Sequence, residues 1–375
     1  LKFLQKFKRI TYSTSYLPEV DGLRFLAIFS VVVIMHIPNY LNEKFYNHQL
    51  IPGEYWKIFI AGGGHGVDLF FVISGFILSL PFAKWRLNKS KKVSLRNYYL
   101  RRLTRLEPPY FIALIIFLIA NVFVLHAYSF KEMLPHFFAS MVYLHTLIYQ
   151  SFPTILPVAW SLEVEVQFYV LAPLFFLIYT IPSGTLRRII FLSAIVVSSY
   201  CWFDYWGVGN VFVFSRVFFI GLLLTDLYCT NTVLIKNNFW GVVVGIVSLA
   251  GFLFIPSIYY VDGTMHYGLG YLIKLVCIFF LFHTVLNNVS MRKLFSKSTI
   301  IVIGGMCYSI YLLHFAIISA AGILLLKSGI VLDNKFFFPV FFLFLILLIL
   351  VISSLYFLFI EKPFMKPVSL LKKSR

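Results

Sequence analysis

The chain has 375 residues, of which 60% are hydrophobic and 12% charged, with a mean hydropathy of +0.88. A soluble domain carries about 25% charged residues, so this composition excludes a soluble enzyme, a disordered chain and a nucleic-acid module, and implies a polytopic membrane protein. The formal charge of +18 is carried mainly in loops between apolar runs, where anionic lipid is the simpler partner than nucleic acid.

Runs of about 20 apolar residues predict an all-α bundle of ten membrane spans, at 22–40, 65–82, 108–126, 160–181, 187–203, 212–229, 239–257, 269–286, 300–326 and 336–360. The stretch 136–149, HFFASMVYLHTLIY, is short for a span and is read as re-entrant or interfacial. With ten spans the termini share a side. Loops on that side hold 24 Lys and Arg residues against 5 on the other, which places both termini in the cytoplasm. No stretch is long and polar enough for a soluble domain, so one membrane domain over 1–375 is expected, with its chemistry inside the membrane part.

Ionisable side chains within spans cost roughly 2.5 kcal/mol or more each on insertion scales and are candidates for function. The first span, DGLRFLAIFSVVVIMHI, carries Asp21 and Arg24 near its cytoplasmic end and His36 near its external end. Asp21 and Arg24 stand at i,i+3 and can pair on one face. Arg24 can also snorkel to headgroups. His36 suits a general base, because imidazole titrates near neutral pH, or an interfacial histidine bonded to a carbonyl. The second span opens GGGHGVDLFFVISGF, where Asp68 stands three residues after His65 and can orient it or meet open amides at the helix start. Packing and capping explain these residues as well as catalysis does.

In LRNYYLRRLTRLEPPYF, Arg101, Arg102 and Arg105 make a guanidinium face at the membrane surface, suited to lipid phosphate or to a phosphorylated small molecule. Pro108–Pro109 is expected to break or restart the helix there. The fourth span, AWSLEVEVQFYV, brings Trp160, Ser161, Glu163 and Glu165; the two glutamates point about 200° apart on a helix, so one is expected to face the bundle interior. Further on, Arg216 lies in FSRVFFIGLL and His314 in YSIYLLHF, and the chain closes on LFIEKPF with Glu361. Structural pairing within the bundle accounts for these three equally well. The four cysteines, Cys201, Cys229, Cys277 and Cys307, show no CxxC or Cys/His ligand spacing, so no disulfide framework and no metal site is expected.

In this order, DGLRFLA with His36 downstream, GVDLFFVISGF, RRLTRLEPPY, WSLEVEVQFY, SRVFFIGLL, YSIYLLHF and EKPF resemble the acyltransferase 3 family of integral-membrane acyltransferases over about residues 18–365. The resemblance implies an acyl-CoA donor, acetyl-CoA foremost, with no metal. The implied acceptor is a hydroxyl of a surface polysaccharide, O-antigen or glycolipid, and the setting is the bacterial cytoplasmic membrane. It implies His36 as the catalytic histidine, Arg24 as its paired basic residue, Arg101, Arg102 and Arg105 at the CoA-binding stretch, and Glu165 at the family's usual glutamate. His65, Asp68, Trp160, Ser161, Glu163, Arg216 and His314 are expected to support substrate. No appended SGNH-type domain is expected. A succinyl or longer-acyl transferase acting on a glucan, lipid or natural product stands as the alternative. Buried Arg, Glu and His would also suit a proton-coupled transporter or flippase.

One spacing departs from the family. Ten residues usually separate the basic residue from the histidine; eleven separate Arg24 from His36. The usual offset leaves the pair about 20° apart on an α-helix and this one about 120°. Either the helix carries a π-bulge, or the two side chains do not share a face.

Overall fold

The computed structural model describes residues 6–10, 16–45, 54–200, 210–255, 258–261, 264–267, 269–328 and 337–365. Among them the helices in chain order are α1 (Pro18–Phe45), α2 (Trp56–Leu87), α3 (Leu95–Val124), α4 (Phe130–Met141), α5 (His145–Tyr149), α6 (Pro157–Thr180), α7 (Gly184–Tyr200), α8 (Ser215–Cys229), α9 (Asn238–Phe254), α10 (Leu269–Asn287), α11 (Val289–Phe295), α12 (Ser298–Gly305), α13 (Cys307–Lys327) and α14 (Phe338–Met365). The all-α expectation therefore stands, with one addition. An antiparallel hairpin, β1 (Ile258–Val261) and β2 (Thr264–Tyr267), pairs Ile258 with Tyr267.

Seven helices, α1, α2, α3, α6, α10, α13 and α14, are long and apolar enough to cross a bilayer. The chain is a multi-pass membrane protein. α7, α8 and α9 occupy the other three predicted places with 17, 15 and 17 residues. At 1.5 Å per residue these reach about 22–26 Å, short of a hydrocarbon core of about 30 Å, so length alone does not reach ten spans. The 136–149 stretch is covered by α4 and α5, neither long enough to cross.

Two expectations are corrected. α3 runs through Pro108–Pro109 without a break. Membrane helices tolerate such prolines where neighbouring groups take up the freed carbonyls. The predicted span 300–326 is divided at Met306, which leaves the helical region with ψ 7°, so that α12 ends and the spanning helix α13 starts at Cys307.

Local chemistry sets several helix starts. Pro18 occupies the first position of α1, where its missing N–H costs nothing. Ser129 and Glu132 form a reciprocal capping box at α4. The Asn237 and Asn288 side chains accept the first amides of α9 and α11.

The chain divides into two compact units. The first comprises Leu1–Arg9, Ser13–Phe70 and Leu234–Leu358. In it α12 packs along α1, α9 along α10, and α13 along α14. The second comprises Ile10–Tyr12, Phe71–Val233 and Phe359–Arg375. Its α7 and α8 are joined by a buried ion cluster: Arg187 Nε donates to Asp226 Oδ1 at 2.6 Å, and Arg188 Nε to Asp226 Oδ2 at 3.0 Å. Asp226 is fully buried, so both guanidinium partners are needed to offset its desolvation. The Phe168 and Phe218 rings stack at 3.9 Å between α6 and α8, and Ser79 bonds Thr225 at 2.8 Å between α2 and α8.

Candidate active site

In the first unit, Arg24 donates to Asp21, with Arg9 at 3.3 Å and the Tyr16 hydroxyl at 2.9 Å from the same carboxylate. Asp21 is 1% exposed, and this ring of donors is what makes its burial tolerable. Arg24 is thus held at the start of α1. From Ser30 to His36 the helix then winds as a π-helix. A π-segment accommodates about one extra residue, so it takes up the phase surplus of about 100° between Arg24 and His36. The first of the two alternatives left by the sequence is the one the chain adopts.

The π-segment rests on the glycine-rich turn that opens α2. Ser30 Oγ donates to the Gly63 carbonyl at 2.9 Å. A Cβ on Gly63 would lie 2.8 Å from the Ser30 carbonyl oxygen and 3.0 Å from Met35 Cβ, so only glycine permits this approach. Beside it, His65 Nδ1 meets Asp68 Oδ2 at 2.6 Å, and both residues are buried. Asp68 therefore orients His65, one of the two roles the sequence allowed it.

The π-segment ends on a histidine pair. His36 Nδ1 lies 2.7 Å from His314 Nε2, with the rings stacked at 4.9 Å and 12°. The other nitrogen of His314, Nδ1, faces the carbonyls of Ile310 at 3.0 Å and Tyr311 at 2.8 Å. Carbonyls only accept, so His314 carries its proton on Nδ1. Its Nε2 is then an acceptor, and His36 must donate to it from Nδ1. This leaves the lone pair of His36 on Nε2, which has no protein partner among the described residues. His314 is fully buried while His36 is part-exposed. Two backbone carbonyls thus fix, through one imidazole, which nitrogen of the other can accept a proton. A carboxylate does the same for the histidine of a serine-hydrolase triad.

In the second unit, Ser74 donates to Glu165, and the Tyr169 hydroxyl bonds the same carboxylate. The Arg102 guanidinium lies over the Tyr169 ring at 5.9 Å. Arg102 and Arg105 are part-buried and Arg101 is exposed, so the guanidinium stretch divides between two faces of α3. Glu163 is fully buried and accepts from the Thr146 amide at 2.8 Å and hydroxyl at 2.6 Å. Both glutamates are therefore engaged, with Glu163 tying α5 to α6. Trp160 packs on Phe214 at 5.4 Å, Ser161 bonds the Val158 carbonyl at 3.5 Å, and Arg216 reaches the Ser198 carbonyl at 3.4 Å.

A second imidazole pair joins α4 and α5. His136 Nδ1 and His145 Nε2 are 2.9 Å apart, with the Thr154 hydroxyl 3.5 and 3.4 Å from them and the Tyr149 ring 4.3 and 4.7 Å from their centroids. Burial, and next His136, push His145 down from 6.5 to about 4. Among the described residues no group of three or more His, Cys, Asp and Glu side chains is placed to hold a metal ion.

The sequence reads Ser74 only as allowing close helix packing and gives Tyr169 no signal, whereas Lys274 carries the general signal of an ionisable residue within a span but no indication of its role. The pairing of His36 with His314 joins positions 278 apart and was equally unreadable. Of the four cysteines, Cys201 lies outside the described residues.

The family model described as an acyltransferase domain matches residues 17–358. Among curated proteins, the chain is 33% identical over 184 residues to the peptidoglycan O-acetyltransferase OatA of Listeria monocytogenes, an alignment covering 46% of this chain and 26% of that protein. It is 27% identical over 346 residues to the O-acetyltransferase OatA of Staphylococcus aureus, covering 83% of this chain and 52% of that protein. The chain thus spans about half or less of the length of these relatives. No solved structure matches it.

Proposed function

The chain belongs to the acyltransferase-domain family, and from that premise we propose that it is a membrane O-acetyltransferase, moving acetyl from acetyl-CoA to a hydroxyl of a surface glycan with His36 Nε2 as the general base. The relatives named as O-acetyltransferases, one of them of peptidoglycan, support the group transferred and the glycan class. The bias of 24 basic residues to 5 supports cytoplasmic termini in the bacterial cytoplasmic membrane, with Arg101, Arg102 and Arg105 on the side where CoA is made. Arg recognises phosphate well, which suits these residues to the donor's phosphates.

In the proposed reaction, His36 Nε2 takes the proton of the acceptor hydroxyl as its oxygen attacks the thioester carbonyl carbon. The C–O bond forms and the carbonyl becomes a tetrahedral oxyanion. Collapse breaks the C–S bond, and the thiolate recovers the proton from His36 Nε2, giving ester and free CoA. While His36 holds that proton its Nδ1–H keeps donating to His314, so the ring does not turn during the cycle. The observation that carries this reading is the tautomer imposed on His36 by His314 and its two carbonyls.

The test is NMR of cell-surface glycan from a host making wild-type or His36→Ala protein. Ester acetyl with the first and none with the second is expected. Equal ester from both would remove His36 from the chemistry.

A further inference from the structure

Lys274 lies six residues into α10 and is 1% exposed. Its Nζ has no hydrogen-bond partner among the described residues. The Asp68 carboxylate attracts it electrostatically, but the oxygen Oδ2 of Asp68 is occupied by His65. An ammonium in an apolar span with three unused N–H donors is costly, and such groups are kept where a ligand supplies the missing acceptor.

The surroundings are built for one. A Cβ on Gly62 would lie 3.1 Å from the Lys274 amine, so the amine sits directly over the glycine turn. Tyr271, one turn earlier on the same face of α10, packs its ring 5.2 Å from His65. On its other side the same turn contacts the π-segment: Ser30 donates to the Gly63 carbonyl, and a Cβ on Gly64 would lie 3.2 Å from the sulfur of Met35, one residue before His36. One glycine turn therefore contacts both the unpartnered amine and the helix segment that carries the base.

We propose that Lys274 is a substrate-binding residue whose ammonium holds a neutral oxygen, a hydroxyl or amide carbonyl, of the acceptor glycan beside His36. The inference rests on the transfer reaction proposed above. Charge selects the ligand: Lys274 and Asp68 already balance, so a neutral oxygen completes the amine's bonding, whereas an anion would leave a net buried charge.

The test uses the full chain purified in detergent, with acetyl-CoA as donor and soluble peptidoglycan fragments as acceptor. Lys274→Met keeps the length of the side chain and removes its donors. The acceptor KM should rise about ten-fold or more, the loss of one charge-assisted hydrogen bond. The acetyl-CoA KM should stay unchanged. Gly62→Ala crowds the amine without removing it and should raise the acceptor KM by a smaller factor; it decides the matter if Lys274→Met does not fold. An unchanged acceptor KM in the folded variants, with His36-dependent transfer intact in the wild type, overturns the role of Lys274 and leaves the transfer reaction standing. A lower midpoint with unchanged acceptor KM assigns Lys274 to structure. A wild type that transfers nothing to the fragments, whatever Lys274 is, overturns both.

Discussion

Among the described residues, two histidine pairs make nearly the same contact, His36–His314 at 2.7 Å and His136–His145 at 2.9 Å, and they are built to opposite ends. In the first, one ring is fixed on its far side by two carbonyls, and the open nitrogen of the other has a defined lone pair. In the second, Thr154 approaches the nitrogens of both rings and the Tyr149 ring packs against both imidazoles, with His145 buried. Beside it, Thr146 anchors α5 to Glu163 on α6. The first pair fixes which nitrogen of His36 bears its proton; the second clasps α4 to α5. A short distance between imidazoles does not separate these roles. What the remaining nitrogens face does.

The largest effect expected from this contrast is on His36. His36→Ala should lower thiol release from acetyl-CoA by about 10²–10⁴-fold, the range of a lost general base, without lowering the thermal midpoint by more than a few degrees. His314→Ala should cost about 10²-fold, because the base remains but loses its orientation. His314→Gln, whose amide oxygen can still accept from Nδ1 of His36, should retain more activity than His314→Ala. Equal loss in both would break the proton-directing account.

The π-segment gives the next test. Deleting Val33 should let α1 close as an ordinary α-helix with His36 still in phase, and thiol release should stay within roughly ten-fold of wild type. Inserting one alanine after Val33 should turn His36 away by about 100° and cost as much as His36→Ala. If the deletion is as damaging as the insertion, the π-segment does more than restore phase.

The clasp should behave in the reverse sense. His136→Ala should lower stability by about 1–2 kcal/mol, read as a lower thermal midpoint, with kcat near wild type. The smallest expected effect is on pH dependence. His145 has a folded value of about 4 against 6.5 unfolded, so the unfolded chain binds more protons between these values. Its contribution is complete above pH 6.5 and is lost as the pH falls toward 4. His145→Gln should therefore lose less of its midpoint over that window than wild type does.

Much of this was legible in the sequence. Apolar runs placed the helices, because about 20 apolar residues have few uses outside a bilayer. The extra residue between Arg24 and His36 announced a phase problem by arithmetic alone, and the i,i+3 pairs Asp21–Arg24 and His65–Asp68 follow from helix geometry. What could not be read depends on tertiary contact. Nothing near His36 names His314 as its partner, nothing near Glu165 names Ser74, and nothing near Arg187 names Asp226. The Pro108–Pro109 break failed because a membrane helix is supported by its neighbours rather than by local propensity.

The most direct measurement is ¹⁵N NMR of the imidazoles in protein labelled at histidine, with the His36 signals identified by their loss in His36→Ala. The account predicts His36 protonated at Nδ1 and bare at Nε2 near neutral pH, with that preference lost in His314→Ala. A His36 that carries its proton on Nε2 in the wild type would contradict it, since the nitrogen assigned to take the acceptor's proton would already hold one.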